Sequence, residues 1–279
     1  MDVESLLEFG VVIVDKPKGP TSHQVSAWVR KILNVKRTGH AGTLDPNVTG
    51  VLPVALNRAT KIINVLHILP KEYVSVMRLH SFVEEERIRK VFEEFTGEIF
   101  QIPPVRSAVA RRLRKRKIHE LKLIEMENNL VLFKALVDSG TYIRALCRDI
   151  GDALCVGANM EDLRRTKTGH FSEEHAVSLT DLLDAYVFWK EDGDETLLRR
   201  YILPGDAILS FLPKIIVKES AYENLAKGAP LYKPGVVEMP ESLNAGALCT
   251  VYTESGKFVS LSRAVLNDDV VARPERVIV

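Results

Sequence analysis

The sequence predicts an α+β protein, with a front part, 1–204, that mixes helices and strands and a short β-rich part, 205–279. Three observations predict it. Helical periodicities and β-branched runs are interspersed along 1–204. They keep no regular strand–helix–strand rhythm, which argues against a doubly wound parallel sheet. After Pro204 and Gly205 the chain turns to short pieces, KIIVK, ALCTVYT and KFVSLSR, separated by Gly, Pro and Asn turns.

Val11 to Val14 is a β-branched run ahead of Lys16, Pro17, Lys18, Gly19 and Pro20, a strand leaving the core into a rigid turn. Ser22 offers an N-cap, and Val25, Trp28, Val29, Ile32 and Leu33 recur at helical spacing, so a helix should end near Asn34. RTGHAGTLDPNVTG, with three glycines and a proline, is loop chemistry between apolar segments, where functional groups often sit. EYVSVMRL has strand composition. Ile88, Val91, Phe92 and Phe95 share one face of a helix from Glu84 to Phe95, stopped by Gly97. LVLFKALVDSG, Leu130 to Gly140, reads as a buried strand. TYIRALCRDIGDAL starts a helix with Ile143, Leu146, Cys147 and Ile150 inward and Arg144 near its start; another helix covers Thr180 to Trp189, before an exposed turn at EDGDE.

A chain of 279 residues can bury one large core plus a small appended domain. The opening, MDVESLLEFG, lacks the basic start and apolar run of a secretory signal, and no apolar stretch approaches membrane-spanning length. A cytoplasmic protein with no membrane partner is therefore expected. Cys147, Cys155 and Cys249 are too few and too scattered for a disulfide framework or a zinc site, and read as small buried hydrophobes in a reducing compartment. No metal site, dinucleotide fingerprint or phosphate loop is recognisable, so no cofactor is expected.

The net charge is only +1, so any attraction for a polyanion must be local. Such a patch exists: Arg106, Arg111, Arg112, Arg114, Lys115, Arg116 and Lys117 fall within twelve residues that include no acid. It reads either as a solvated face or as a set of phosphate contacts, and its density favours the second. Asp45, between Leu44 and Pro46 in the glycine-rich loop, reads on its own as a turn cap before it reads as a catalyst.

Five ordered segments change that balance: VDKPKGPTSHQV, GHAGTLDPNVTGVLPVALNRATK, KEYVSVMRLH, GTYIRALCRDIG and LRRTKTG. Together they resemble the TruB/Cbf5 family of pseudouridine synthases, which includes bacterial tRNA uridine-55 synthase, and most of all its archaeal Cbf5 and eukaryotic dyskerin branch. The tail is similar to a PUA domain. The resemblance implies a catalytic domain with a mixed β-sheet and flanking helices over 1–204, and a small β-barrel PUA domain over 205–279 that holds RNA. With eight basic and nine acidic residues from Gly205 onward, that tail should bind by shape and selected hydrogen bonds rather than by net charge.

The resemblance implies that Asp45 is the catalytic aspartate for an isomerisation in which the N1 glycosidic bond of uridine breaks and a C5 bond forms. Attack at the sugar, attack at the base and removal of a sugar proton all remain open. Arg144 matches the arginine that pairs with the aspartate, and Tyr73 the tyrosine that stacks on the target base. His40 matches a histidine that holds RNA displaced when the uridine is flipped, and Leu163 an apolar residue lining the uracil pocket. The basic run corresponds to a loop that clamps substrate RNA, with Arg164, Arg165 and Lys167 extending its track.

In the Cbf5 branch the implied partners are an H/ACA guide RNA, a tRNA or rRNA substrate, and Nop10, Gar1 and L7Ae-like proteins. Two departures stand out: that branch carries a longer segment before VDKP, part of which packs on the PUA domain, and Ala41 stands where Gly or Thr is more usual. Two other functions fit the same residues: a stand-alone tRNA uridine-55 synthase, and a non-catalytic RNA-binding scaffold.

Overall fold

The computed structural model describes residues 1–102 and 112–278. Seven α-helices are seen among them: α1 (Val3–Glu8), α2 (Ser22–Ile32), α3 (Glu85–Phe95), α4 (Ile143–Ala153), α5 (Leu179–Asp192), α6 (Thr196–Tyr201) and α7 (Tyr222–Ala226). The first large sheet comprises β1 (Gly10–Lys16), β2 (Thr38–His40), β3 (Thr49–Leu56), β4 (Lys71–Leu79), β5 (Gly97–Gln101), β6 (Arg114–Glu127), β7 (Leu130–Val137), β8 (Ala158–Thr168), β9 (Phe171–Ser172), β10 (Ala176–Val177) and β11 (Ile202–Pro204). Its main path runs β10-β1-β3-β8-β4-β7-β6-β5. The sheet is mixed, since β3 pairs with β8 in parallel whereas β8 pairs with β4 antiparallel.

The second sheet has six strands in the order β13-β17-β16-β15-β12-β14 and is nearly closed. They are β12 (Lys214–Val217), β13 (Leu231–Tyr232), β14 (Val236–Glu238), β15 (Leu248–Thr253), β16 (Phe258–Ala264) and β17 (Val270–Val277). The α+β class expected from the irregular order of elements is what folds.

The continuous apolar run of β1 has a physical cause. Val12 and Val14 pack with Val25 and Val29 of α2 and Leu182 of α5, while Val11 and Ile13 point the other way, into a core shared with Ile208, Leu209, Leu261 and Ile278. A strand covered on both faces cannot alternate apolar with polar. β7 differs, because every second residue, from Val131 to Val137, is buried and the others are partly exposed. The buried strand expected there is present, with one face buried and the other partly exposed. A third core joins Met77, Phe133 and Ile118 of this sheet to Ile88 and Phe92 of α3 and Ile143, Leu146 and Ile150 of α4.

Other local expectations are corrected. Thr21, not Ser22, caps α2, closing a capping box with Gln24. Ser22 is the first helical residue, and its hydroxyl is free to hold the next loop. The segment expected to be all loop supplies β2 at one end and the start of β3 at the other, leaving 41–48 irregular. Cys147 and Cys249 are buried as expected, but Cys155 is exposed at a positive φ of 61° after α4. No described helix is long and apolar enough to cross a membrane.

Candidate active site

The loop at 41–48 is fixed on both sides of Asp45. Before it, the Ser22 hydroxyl donates to the Leu44 carbonyl (3.0 Å) and accepts from the Leu44 amide (2.8 Å). After it, the buried Lys16 ammonium donates to the carbonyls of Pro46 (3.1 Å), Val48 (2.8 Å) and Pro17 (3.0 Å). The side chains of Leu44 and Val48 insert into the core below. The backbone around Asp45 is therefore held by buried groups while its carboxylate, 54% exposed, stays in solvent. Burial lowers the Lys16 pKa and the Asp45 charge opposes that shift.

Asp45 lines a cavity of about 310 Å³, a volume on the scale of small-ligand pockets. Tyr73, Ile143, Arg144, Met160 and Leu163 line it too. The Arg144 guanidinium, on the first turn of α4, is ion-paired with the Asp45 carboxylate. Four residues singled out from sequence, Asp45, Tyr73, Arg144 and Leu163, thus meet around one cavity from a loop, two strands and a helix.

A register shift between Glu72 and Tyr73 sets the floor. It pairs Glu72 with Lys167 but Tyr73 with Arg165, so Thr166 is passed over. Opposed residues of an antiparallel pair project to the same face, so this irregularity places Tyr73 and Arg165 together. Arg165 is fully buried, donates from Nε to the Val51 carbonyl (2.8 Å), and leaves its second terminal nitrogen without a partner. Burial pulls its pKa below the usual guanidinium value, the adjacent Tyr73 side chain opposing. Gly42, at φ +71°, leaves room for the Arg165 guanidinium, since a Cβ there would lie 2.9 Å from Arg165 Nη1.

Arg165 therefore does not extend an exposed basic track as expected. Nor do its neighbours present free charges: Arg164 is bidentate to Asp15 and also bound to Glu173, and Lys167 pairs with Glu72. Strand alternation turns Arg164 outward and Arg165 into the site, an assignment sequence could have offered only with the register of β8 in hand.

Lys71, which the sequence did not single out, lines the same cavity. Its ammonium donates to the carbonyls of Leu66, His67 and Leu69 and to the Ser139 hydroxyl, tying together two loops of the rim. Burial and the nearby Arg165 push its pKa down to about 8.

His40 stands apart from the cavity. It lines an adjoining cleft, its ring edge-on to His23 at 4.7 Å, with neither ring nitrogen hydrogen-bonded. Burial first, then the neighbouring His23, Arg165 and His67, push its pKa down to about 4, so it is neutral at pH 7. Of the basic cluster, Arg106 and Arg111 lie outside the described residues. Arg112 is exposed, and Arg114 to Lys117 begin the long strand β6 instead of a loop, with Lys115 bridged to Glu98 at 2.7 Å. The strand start still flanks the site, because Arg116 approaches Gly140 on the cavity wall. Among the described residues no group of three His, Cys, Asp or Glu side chains is placed to hold a metal ion.

Comparison with known proteins bears on this geometry. The model described as TruB family pseudouridylate synthase (N terminal domain) matches residues 30–86 and 79–143, the tRNA pseudouridylate synthase B C-terminal domain matches 144–210, and the PUA domain matches 213–279. A "Probable tRNA pseudouridine synthase B" of Methanocaldococcus jannaschii is 53% identical over 274 residues, 98% of this chain and 82% of that protein. A protein of the same description from Archaeoglobus fulgidus is 47% identical over 271 residues, 97% of this chain and 83% of that one. Among solved structures, a Cbf5-Nop10-Gar1 complex superposes with a TM-score of 0.94 at 44% identity, covering 100% of this chain and 88% of the matched one. An H/ACA RNP bound to a substrate RNA containing 2′-deoxyuridine gives 0.93 at 42% identity, with 100% and 88% covered. The chain belongs to the TruB family of pseudouridine synthases, isomerases that act on RNA.

Proposed function

We propose that this chain is the catalytic subunit of an H/ACA guide-directed pseudouridylation particle, assembled with Nop10, Gar1 and L7Ae-like proteins and acting in the cytoplasm on tRNA and rRNA. Asp45 is its catalytic carboxylate. The observation that carries the reading is the Asp45–Arg144 ion pair at a cavity that also holds Tyr73 and Leu163. The match to chains solved with Nop10 and Gar1 over their catalytic and PUA parts supports the particle context. The three free cysteines suit a reducing compartment.

The roles follow from the chemistry. The target uridine leaves its stack, at a cost of roughly a few kcal/mol, and enters the cavity. Tyr73 stacks on the base and Leu163 gives it an apolar wall. Asp45 acts on the flipped nucleotide, Arg144 holding its carboxylate in one orientation by a charged hydrogen bond. The N1–C1′ bond breaks, the C5–C1′ bond forms, and the C5 proton is exchanged for one at N1, so every heavy atom is conserved. Within this reading, 1–204 is the catalytic unit and 205–279 the RNA-holding PUA unit. His40, Arg106, Arg111, Arg112, Arg114 and Lys115 hold RNA beside the pocket.

A second reading, guide-independent modification of tRNA uridine-55, is favoured by the description of the M. jannaschii and A. fulgidus relatives. One experiment orders both readings: the wild type and Asp45→Asn are assayed for pseudouridine on an unmodified tRNA transcript alone, and on a guide-paired RNA with the partner proteins. The isomerase reading expects product from wild type and none from Asp45→Asn, with RNA binding retained. Product only with guide and partners selects the particle; product on tRNA alone selects the second reading. Unchanged turnover by Asp45→Asn removes Asp45 from the mechanism.

A further inference from the structure

Between β7 and α4 runs the short segment 138–142, of which Ser139, Gly140, Thr141 and Tyr142 line the catalytic cavity. Groups from other strands tether it. The Asp138 carboxylate accepts from the Lys117 amide (3.1 Å), and the Ser139 hydroxyl accepts from the Lys71 ammonium (3.1 Å). Tyr142 is held by Gln101, which ends β5, is only 3% exposed and lies 41 residues away in sequence. The Gln101 side-chain oxygen accepts from the Tyr142 amide (3.0 Å), and its side-chain nitrogen donates to the Tyr142 carbonyl (3.3 Å). A carboxamide side chain matches a peptide unit in this way, since it offers both an acceptor and a donor.

Tyr142 is the N-cap of α4 and contributes no side-chain capping hydrogen bond. In a capping box, a Glu or Gln at the third helical position reaches back to the N-cap amide. That position in α4 is Ala145, which has no polar group to offer. Gln101 supplies that acceptor from a different strand. Arg144 stands at the second helical position, where the positive end of the helix dipole opposes a cation. Its bearing on Asp45 therefore depends on where the first turn is placed, and the tether from Gln101 acts on that turn itself. We propose that Gln101 is a positioning residue for the isomerisation, its carboxamide fixing the start of α4 and thereby the bearing of the Arg144 guanidinium on the Asp45 carboxylate. The inference rests on the proposed roles of Asp45 and Arg144.

The test measures single-turnover pseudouridine formation by the full chain at saturating enzyme, on the RNA and with the partners that support product with the wild type. It combines Gln101→Met with Arg144→Gln in a double-mutant cycle. Met keeps the length of the Gln side chain and removes both hydrogen bonds. Since a misplacement of about 1 Å can cost about 100-fold in rate, Gln101→Met should slow turnover at least about 10-fold. RNA affinity should stay within about threefold of wild type, so that the loss falls in kcat rather than KM. In the Arg144→Gln background the same change should alter the rate by less than about twofold, because the group through which Gln101 acts is gone. A brace that only stabilises the fold would instead slow both backgrounds equally.

Equal slowing in the two backgrounds overturns the proposal, and so does turnover by Gln101→Met within about twofold of wild type. Should Gln101→Met fail to fold, Gln101→Glu goes through the same cycle. Its carboxylate still accepts from the Tyr142 amide but has no proton to give the Tyr142 carbonyl, and equal slowing in both backgrounds overturns the proposal there too. Failure is separable from that of the function on which the inference rests. A wild type that forms no pseudouridine refutes the isomerase reading, and wild-type turnover by Arg144→Gln removes Arg144 from the mechanism, each taking this proposal with it. A slow Arg144→Gln combined with an undiminished Gln101 effect refutes the tether alone.

Discussion

Replacing Arg144 with Gln separates what the Asp45–Arg144 pair does for folding from the part in chemistry proposed for it. The two side chains are 46% and 54% exposed, so the pair is screened by water and its loss should cost about 1 kcal/mol or less. Arg144 also sits in the first turn of α4, where a cation opposes the helix dipole, and neutral Gln regains about 0.3–1 kcal/mol. The two contributions nearly cancel. Guanidinium chloride titration should place the variant within about 1 kcal/mol of wild type. Activity should behave differently, because a carboxylate without its lateral hold samples orientations unable to reach the nucleotide. Single-turnover pseudouridine formation should fall at least about 100-fold, equal to about 2.7 kcal/mol of transition-state stabilisation. A stability loss above about 3 kcal/mol would show the pair to be structural, and turnover within threefold of wild type would remove it from catalysis.

Three further perturbations follow from the same geometry. Arg165→Met removes a buried cation that has no carboxylate partner, so denaturant stability should change by less than about 2 kcal/mol in either direction while turnover falls at least about 10-fold; a stability loss above about 4 kcal/mol would contradict this. His40, pushed down to about 4 from its ordinary 6.5, binds more protons unfolded than folded between those values. Stability should then be level in this respect above pH 6.5 and fall as the pH drops from 6.5 to 4, and His40→Gln should flatten that fall; parallel curves for the two proteins would refute the shift. Gly50→Ala would put a Cβ 2.1 Å from the Arg165 carbonyl at φ +104°, where β3 and β8 pair. A loss of about 2–5 kcal/mol is expected by thermal or chemical unfolding, with loss of turnover, and a wild-type melting temperature would contradict the contact.

Local signals in the chain carried much of the fold. The spacing of Ile88, Val91 and Phe92 marked α3, that of Ile143, Leu146, Cys147 and Ile150 marked α4, and all are buried where the period requires. Such signals survive because each residue's burial follows from helix geometry alone. The same logic does not resolve the two faces of Leu130 to Val137, since an apolar composition cannot say whether one face of a strand or both are covered. The basic run was legible as charge, yet its final four residues belong to β6 because Gly97–Gln101, the preceding strand, offers them an antiparallel partner.

For the site, sequence by itself determined the family and, through the ordered motifs, singled out Asp45, Tyr73, Arg144 and Leu163 as candidates. Only the tertiary structure decided that they share a cavity, that Ser22 and Lys16 clamp the loop on either side of Asp45, and that Arg165 is turned inward while Arg164 is turned out. These depend on a strand register and on hydrogen bonds between segments up to 149 residues apart. Motifs record which chemical groups are present; register and long-range contacts, to which local spacing is blind, decide which of those groups meet.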